Sequence, residues 1–364
     1  MFRLANILAL AAATVAATAA GVAAAFTTPP AGTWLKLPAP PVVIDQAPTG
    51  VWTGRRVLLF GRRTVSALDA HGKPYAVKAL DTAAAYDPAS NRWTRLAPPA
   101  GPGYVPAYRA VWTGREMLAF GAFHSVAYNP ATNTWRDLRK SINLGFVAWT
   151  GREAIGWGGG CCGDVQSNGS AYDPATETYR RLPRSPLAPS QRALGAWTGR
   201  ELILLVSGVD PEGKPYPARF ARAAAYDPAS NTWRRIAPSP ATGMRMGAAV
   251  WDGRELLVAA AGDDSRSTFA YNPATNHWRR LAPLPAPRVG ASVAWTGRFL
   301  LVVGGQNASG TKELRDGFAY DSRTGRWSAI AAAPLHTPAY LALWTGRSFV
   351  LAGVGQLAAF TPQA

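Results

Sequence analysis

Three arginines occupy the same place in a repeating pattern, and their chemistry favours anion binding. Arg192, Arg245 and Arg288 each stand just before an apolar segment that opens a repeat. A guanidinium offers several fixed donors that match the oxygens of a carboxylate or sulfate. Three such groups at one end of a scaffold would grip an anionic ligand. The alternative is a structural role in which each guanidinium donates to backbone carbonyls of the neighbouring blade.

A second candidate site is the adjacent pair Cys161 and Cys162, which has glycines on both sides and follows Trp157 closely. Neighbouring Cα atoms are only about 3.8 Å apart, whereas a normal disulfide spans about 4.4–6.8 Å. The flanking glycines tolerate the unusual backbone angles that such a bond needs. We expect a disulfide between neighbours, forming an apolar platform beside Trp157 that contacts a ligand. Two free thiols, or bonds to another chain, are the alternatives.

Catalytic and metal chemistry has little support in the residue types. Two adjacent cysteines exclude a four-cysteine zinc site, and four scattered histidines disfavour a histidine metal site. No nucleophile motif, phosphate-binding loop or carboxylate pair at a diagnostic spacing occurs, so we expect neither metal nor cofactor. Seven acidic residues in variable segments could still supply acid–base groups, which leaves enzymatic activity open: Asp164, Asp210, Glu212, Asp263, Asp264, Glu313 and Asp316.

A repeated tetrapeptide indicates the strands and turns that must position these residues. Trp-Thr-Gly-Arg occurs six times and Trp-Asp-Gly-Arg once, beginning at Trp52, Trp112, Trp149, Trp197, Trp251, Trp295 and Trp344. Each copy lies between two apolar runs. Thr-Gly or Asp-Gly in that setting predicts a two-residue hairpin turn joining two strands, A and B.

A second motif follows each of the first six hairpins and predicts another hairpin, of strands C and D. Its pattern is Tyr-Asp-Pro-x-x-Asn-x-Trp, as in residues 86–93. Asp opens a turn, Pro fixes the next φ, and Asn tolerates the left-handed conformation that closes it. Gly325 fills the Asn place in one copy. Glu177 fills it in another, which predicts mild strain or a different turn.

The A–B unit recurs at intervals of 37 to 60 residues, and four short strands at such a period are typical of a β-propeller. We therefore predict an all-β, seven-bladed propeller of four-stranded antiparallel blades in one domain, residues 26–364. Residues 357–362 read as the seventh strand C and residues 32–38 as the seventh strand D. Pairing them joins the two chain ends and removes the open edge.

The repeats resemble kelch repeats. The Tyr-Asp-Pro-x-x-Asn-x-Trp stretch, the Leu-Ala-Pro after it and the pair Gly304-Gly305 carry this resemblance, which covers residues 32–362. It implies the propeller and leaves function open, because kelch-like propellers include enzymes and binding modules. Galactose oxidase would require a copper site of two His, a Tyr and a Tyr crosslinked to Cys, which this sequence does not offer. Sialic-acid mutarotases, which bind an acidic sugar over a basic pocket, are the better enzyme analogy.

The strong positive charge does not indicate nucleic-acid binding. Lys and Arg total 38 against 21 acids, and there are 14 Trp. However, the repeat accounts for every Trp except Trp157, and an arginine follows the Gly of all seven tetrapeptides. Residues repeated in every blade are usually scaffold, so we expect no nucleic-acid partner. An anionic glycan or an envelope protein is the expected partner, and the protein is expected to be a monomer.

The predicted topology separates two faces of the propeller. A–B and C–D turns lie on one face, which we call the turn face, and B–C and D–A connections lie on the other, the loop face. The turn face carries short repeated turns, whereas the loop face carries all irregular segments. Variable loops on a rigid scaffold are where sites are built. We therefore expect the site at the loop-face end of the central channel.

The N-terminal residues predict export. Arg3 precedes an apolar, Ala-rich stretch over residues 4–26 with small-residue cleavage motifs, so residues 1–25 are interpreted as a signal peptide. If uncleaved, residues 4–26 are long enough to anchor the chain in a membrane. We expect a secreted or periplasmic binding module for an anionic ligand such as an acidic glycan. An enzyme on acidic sugars, either a mutarotase or a lyase, and an anchored scaffold for envelope proteins are the alternatives.

Overall fold

The computed structural model describes residues 32–363, apart from residues 70, 72–73, 100–107, 123, 161–163, 208–209, 211–213, 241–246, 263, 338 and 340. Three predicted site residues, Cys161, Cys162 and Arg245, therefore lie outside the described residues. So does the expected signal peptide. Within the described part of the chain, no helix is long and apolar enough to cross a membrane.

The described residues form seven four-stranded antiparallel sheets arranged as the blades of a propeller, which confirms the predicted fold. Blade 1 contains β2 (Gln46–Trp52), β3 (Val57–Leu68), β4 (Pro74–Asp87) and β5 (Arg92–Leu96). Blade 2 contains β6 (Tyr108–Trp112), β7 (Met117–Gly121), β8 (Ser125–Asn129) and β9 (Thr134–Leu138). Blade 3 contains β10 (Phe146–Trp149), β11 (Ala154–Trp157), β12 (Gly169–Asp173) and β13 (Thr178–Arg181).

Blade 4 contains β14 (Leu194–Trp197), β15 (Leu202–Leu205), β16 (Ala223–Asp227) and β17 (Thr232–Arg235). Blade 5 contains β18 (Ala248–Trp251), β19 (Leu256–Ala261), β20 (Ser267–Asn272) and β21 (His277–Arg280). Blade 6 contains β22 (Ser292–Trp295), β23 (Phe299–Val303), β24 (Gly317–Asp321) and β25 (Arg326–Ile330). Blade 7 contains β26 (Leu341–Trp344), β27 (Phe349–Gly353), β28 (Gln356–Pro362) and β1 (Gly32–Leu37).

The ring closes as predicted, with the first strand completing the last blade. β1 pairs antiparallel with β28, so that Gly32 lies opposite Pro362 and Leu37 opposite Leu357. Trp34 stacks obliquely on Phe360 across this pair, with ring centroids 5.2 Å apart. Closure through the chain ends removes the exposed sheet edge that an open blade would leave.

The A–B hairpins form as predicted, but the two residues at the tip are Gly and Arg rather than Thr and Gly. Thr53 donates its N–H to the Arg56 carbonyl at 3.0 Å. Its Oγ1 accepts the Arg56 N–H at 2.9 Å. Gly54 takes φ of +87°, which a residue with a Cβ rarely adopts. Asp252 replaces the threonine through the same kind of bond, because its Oδ1 accepts from the N–H of Glu255.

The C–D turns close with a left-handed residue in the predicted place. Asn91 has φ of +54° and its side chain accepts a hydrogen bond from the Tyr86 hydroxyl at 2.8 Å. Glu177 has the same φ of +54°, so the third copy keeps the turn instead of using another. Of the two predictions for this position, mild strain therefore applies, because a left-handed Glu is energetically unfavourable.

Aromatic side chains on the outermost strands bind the blades to one another. The indole N–H of Trp93 donates to the carbonyl of Pro38, in the connection that leaves the preceding blade, at 2.8 Å. The equivalent bond recurs around the ring, with a Tyr hydroxyl in blade 3: Trp34 to Ala331, Trp135 to Ala97, Tyr179 to Lys140, Trp233 to Pro183, Trp278 to Ala237 and Trp327 to Ala282. The repeated tryptophans on these strands are thus packing residues.

Arginines directly after these aromatics join blades 2 to 5. In blade 3, Arg180 pairs with Glu153, which follows the A–B turn of the same blade, and also reaches the Tyr226 hydroxyl of blade 4. Equivalent Arg–Glu pairs are Arg136 with Glu116, Arg234 with Glu201, and Arg279 with Glu255. Blades 1, 6 and 7 have neither member of the pair at these places.

The core consists of apolar clusters between neighbouring blades. Phe60 of blade 1, for example, packs in one buried cluster with Met117 and Val126 of blade 2. The innermost strands β2, β6, β10, β14, β18, β22 and β26 contact one another in order around the channel. Their half-buried side chains therefore line the channel wall, and the D–A and B–C connections surround its loop-face end.

Candidate functional site

A cavity of about 350 Å³ opens at the loop-face end of the channel, beside blades 6 and 7. Its walls come from the start of β22, from the blade 6 connection between Gly304 and Arg315, and from the connection that enters blade 7. Arg192, just before the innermost strand of blade 4, lines the same cavity from across the channel. One of the predicted arginines therefore reaches the predicted place.

Arg109 lies close to Arg192, and the sequence interpretation missed it. Arg109 lies on β6, the innermost strand of blade 2, and keeps part of its surface accessible to solvent. Partial desolvation by the surrounding protein lowers the pKa of Arg109, and the positive charge of Arg192 lowers it further. Neither guanidinium has a carboxylate partner among the described residues. Two neighbouring like charges disfavour each other's charged form, and a nearby anion would offset this repulsion.

A second cation and a buried hydroxyl line the cavity itself. Arg315 donates from Nη1 to the Leu335 carbonyl at 2.6 Å and pairs with no carboxylate in the described part of the chain. The Thr337 Oγ1 is buried and has no hydrogen-bond partner among the described residues. Glu313 is the acidic residue of the lining, and its Oε1 accepts from the Gln306 amide at 2.7 Å. The cavity thus combines cations, one carboxylate and one unsatisfied hydroxyl.

Arg288 supports the cavity wall and does not line the cavity. Its side chain is 1% exposed, and its guanidinium donates to the carbonyls of Gly304 and Asp316 at 3.1 and 3.0 Å. It also pairs with the Asp316 carboxylate at 3.0 Å and lies over the Phe318 ring. These contacts give Arg288 a structural role, but within its own blade 6 rather than toward a neighbouring blade. With Arg245 outside the described residues, convergence of all three arginines stays a prediction.

Trp157 is fully buried in the cluster between blades 3 and 4, where it packs with Leu187 and Leu204. Its indole N–H has no partner within the described residues. The next residues, Gly158 and Gly159, take positive φ values of 69° and 114°, which glycine adopts readily. A ligand platform formed by the cysteine pair remains a prediction.

The predicted acid–base residues have separate fates. Glu212 and Asp263 lie outside the described residues. Asp316 is held by Arg288, and Asp210 accepts the N–H of Lys214 at 2.7 Å. Hydrogen bonds from the backbone N–H groups of Arg266 and Ser267 lower the pKa of Asp264, against a smaller opposing effect of burial. Glu313 is the acid that the fold brings beside Arg192 and Arg315.

A larger cavity, about 690 Å³, lies on the turn face between blades 2 and 3. Most of its charged lining is paired: Arg136 with Glu116 at 2.8 Å and Glu177 at 3.0 Å, and Arg152 with Asp173 at 3.2 Å. Arg115 also lines this cavity and has no ion-pair partner among the described residues. Size alone would favour this cavity as the site. We favour the channel mouth, because none of its arginines forms an ion pair with a described carboxylate.

Comparison with known proteins fits this architecture. A kelch motif model matches residues 287–333, which span blade 6. The same blade pattern recurs seven times around the ring. The chain is a β-propeller of the kelch type. No curated protein matches the sequence of this kelch-type propeller.

Two solved structures share the fold of the kelch-type propeller. A fungal alcohol oxidase of the AA5 family, in complex with copper, is similar with a TM-score of 0.67 and 15% identity, covering 91% of this chain and 76% of its own. YjhT is similar with a TM-score of 0.53 and 16% identity, covering 81% of this chain and 99% of its own. At these identities the likeness concerns the fold alone.

The copper of that oxidase does not carry over to the described residues. They contain no group of three His, Cys, Asp or Glu side chains that could hold a metal ion. His124 instead contacts the Asp137 carboxylate at 3.0 Å. The donor set of the kelch-type propeller, as far as it is described, does not fit a copper centre.

Arg109 does have a sequence signal that would identify it. It stands three residues before the turn tryptophan Trp112, where the other repeats carry Thr, Phe, Leu, Ala, Ser and Leu. A single charged residue at a place that is otherwise small or apolar marks a departure from the scaffold. By contrast, nothing in the repeat pattern distinguishes Arg315 or Thr337.

Proposed function

We propose that this kelch-type propeller binds an anionic ligand, such as an acidic glycan, at the loop-face end of its channel. The observation that carries this is the placement of Arg109, Arg192 and Arg315 around one channel mouth without a carboxylate partner among the described residues. Uncompensated neighbouring cations in a partly desolvated site favour an anion, because its binding relieves their repulsion.

The cavity also supports a sugar-like ligand. Its volume of about 350 Å³ lies at the lower end of the range for small-molecule sites. A carboxylate or sulfate would face Arg192 and Arg109. The buried Thr337 hydroxyl has no partner among the described residues and would gain one from a ligand hydroxyl. Acidic sugars combine both kinds of group.

The test is a screen of the exported, unreduced protein on an array of acidic and neutral glycans, followed by calorimetry. Arg192→Gln and Arg109→Gln should each weaken binding by roughly 10- to 100-fold, as expected for loss of a charge-assisted hydrogen bond. Arg184→Gln, an exposed arginine in another loop, is the matched control and should change little. The proposal would be contradicted if added salt abolished binding to all glycans equally and Arg192→Gln left binding unchanged.

A second candidate is an enzyme that acts on acidic sugars, and Glu313 is the observation that favours it. Its carboxylate lines the same cavity as two of the arginines, where a general acid or base would stand. Anomer exchange of each glycan ligand, or its cleavage, can be followed by NMR with the wild type and Glu313→Gln. Binding without turnover identifies a binding module, whereas turnover lost in the variant identifies an enzyme.

We also propose that the protein acts outside the cytoplasm, secreted or periplasmic, and as a monomer. The apolar leader over residues 4–26 and its small-residue cleavage motifs support export. Intact mass of the protein recovered from the periplasm and the medium tests this, and the same unreduced sample tests the Cys161–Cys162 bond. An uncleaved mass would favour anchoring, and a mass of two readily alkylated thiols would exclude the disulfide.

A further inference from the structure

The turn face carries a ring of arginines. Every A–B turn places an Arg at its tip, and six of the seven are exposed. Three approach an aspartate, namely Arg55, Arg152 and Arg298. The other four have no ion-pair partner among the described residues: Arg115, Arg200, Arg254 and Arg347. A repeated scaffold role explains the turn glycine but does not explain an exposed, unpaired cation beside it.

The propeller topology places this whole ring on one face. All seven A–B turns lie at the same ends of their blades, so their tips surround the channel on the turn face. Each turn also begins with a partly exposed tryptophan, and amphipathic indoles favour the boundary between water and lipid. The turn-face cavity between blades 2 and 3 involves only Arg115 and Arg152 of this ring. The other arginines are spread around the channel, and such separated cations with aromatic rings match an extended anionic surface better than a small ligand in one concave site.

The chain enters the propeller at this same face. β1 starts at Gly32, opposite Pro362, and runs toward Leu37, opposite Leu357, close to the loop-face turn that joins β27 to β28. Gly32 therefore lies at the turn face. The apolar stretch over residues 4–26 precedes it by only five residues, which span at most about 18 Å. A membrane-embedded leader would bring the turn face to the bilayer surface.

We propose that the turn face docks flat on an anionic lipid bilayer, which leaves the loop face and its channel mouth directed into the aqueous compartment. The arginine ring and the chain entry are separate observations and lead to the same orientation. This inference is independent of the proposed ligand, because Arg109, Arg192 and Arg315 belong to the opposite face. An acidic polysaccharide on the turn face is the competing occupant.

The test uses residues 27–364, which contain all 28 strands and the closing pair, so the leader cannot cause binding by itself. Flotation with phosphatidylcholine vesicles, with and without phosphatidylglycerol, measures association. The turn-face variant replaces Arg115, Arg200, Arg254 and Arg347 by Gln. The matched control removes four exposed arginines from the opposite side, namely Arg63, Arg184, Arg219 and Arg235.

Wild type should bind only vesicles that contain phosphatidylglycerol. Each turn-face arginine should contribute about fivefold, so the quadruple variant should lose binding by several hundredfold while the control keeps most of it. Equal losses in both variants would indicate bulk charge and overturn the proposal. Failure of the wild type to bind the anionic vesicles would overturn the proposal too. The same holds if the turn-face variant loses binding to an acidic polysaccharide but still binds the vesicles. Unchanged circular dichroism confirms that both variants fold.

Discussion

Arg180 donates from Nη2 to the Glu153 carboxylate at 2.6 Å and from Nη1 to the Tyr226 hydroxyl of the next blade at 2.9 Å. One guanidinium therefore joins the A–B turn and outer strand of blade 3 to the third strand of blade 4. Glu153 is largely buried, and Arg180 is one-third exposed. Charge-assisted hydrogen bonds to a shielded carboxylate contribute more to stability than exposed ion pairs do.

The first prediction is that Arg180 and Glu153 are energetically coupled. Arg180→Ala should lower the free energy of unfolding by about 1–2 kcal/mol, since it leaves the shielded Glu153 carboxylate without its partner. In a double-mutant cycle with Glu153→Ala, the coupling should be about 1 kcal/mol. Urea denaturation followed by tryptophan fluorescence measures these values.

Arg181→Ala provides the control for this cycle. Arg181 is the exposed neighbour on the same strand, and its removal should change stability by less than about 0.5 kcal/mol. Additive effects of Arg180→Ala and Glu153→Ala would contradict an energetic coupling between the two side chains.

The second prediction concerns Glu177, which holds φ of +54° where four other repeats have Asn. Glu177→Asn should raise the free energy of unfolding by about 0.5–1 kcal/mol, because Asn adopts the left-handed conformation at lower cost. The shorter Asn side chain would still accept a hydrogen bond from Arg136, as Asn231 accepts one from Arg180 at 3.0 Å. Thermal unfolding checks the sign, and a lowered midpoint would mean that the Arg136–Glu177 ion pair outweighs the strain.

The third prediction tests the closure of the ring. Trp34 donates its indole N–H to the Ala331 carbonyl at 2.8 Å and packs on Phe360, so it holds β1 to blades 6 and 7. Trp34→Ala should cost about 2–3 kcal/mol in denaturant unfolding. Leu35→Ala, on the same strand with a 63% exposed side chain, should cost under about 0.5 kcal/mol. Equal costs at the two positions would show that closure does not depend on the indole.

The fourth prediction concerns alkaline stability. Burial raises the pKa of Tyr179 to about 12, and burial likewise raises the pKa of Tyr172 and Tyr226. Their folded-state pKa values lie above the unfolded value of about 10, so the unfolded chain loses these protons first. The stabilisation is fully present below about pH 10 and is lost as pH rises toward 12.

The denaturant concentration at the unfolding midpoint should accordingly decrease as the pH is raised from about 10 to about 12, and tyrosinate absorbance should increase together with unfolding. Tyr179→Phe should reduce the pH dependence of the unfolding free energy by the equivalent of up to one proton. Equal pH dependence of the unfolding free energy in the wild type and in Tyr179→Phe would contradict this prediction.

The sequence by itself determined the propeller, because the information is local and repeated. Trp-Thr-Gly-Arg and Tyr-Asp-Pro-x-x-Asn-x-Trp specify turns through Gly and Asn conformations, and seven copies leave one way to bury their apolar strands. The closing strand at Trp34 followed from counting incomplete repeats. Even the Arg–Glu pairs are visible in the sequence, since both partners occur together in blades 2 to 5 and are both missing from the other blades.

Only the tertiary structure decided which cations share a site. Arg192 and Arg288 hold equivalent places in their repeats, yet one is exposed at the channel mouth and the other is 1% exposed within blade 6. The difference depends on Asp316 and Phe318, which a loop of irregular length brings to Arg288. Arg109 and Arg192 are 83 residues apart in sequence and meet only because the ring returns their strands to one channel. Such proximity depends on closure of the whole propeller, and no local pattern encodes it.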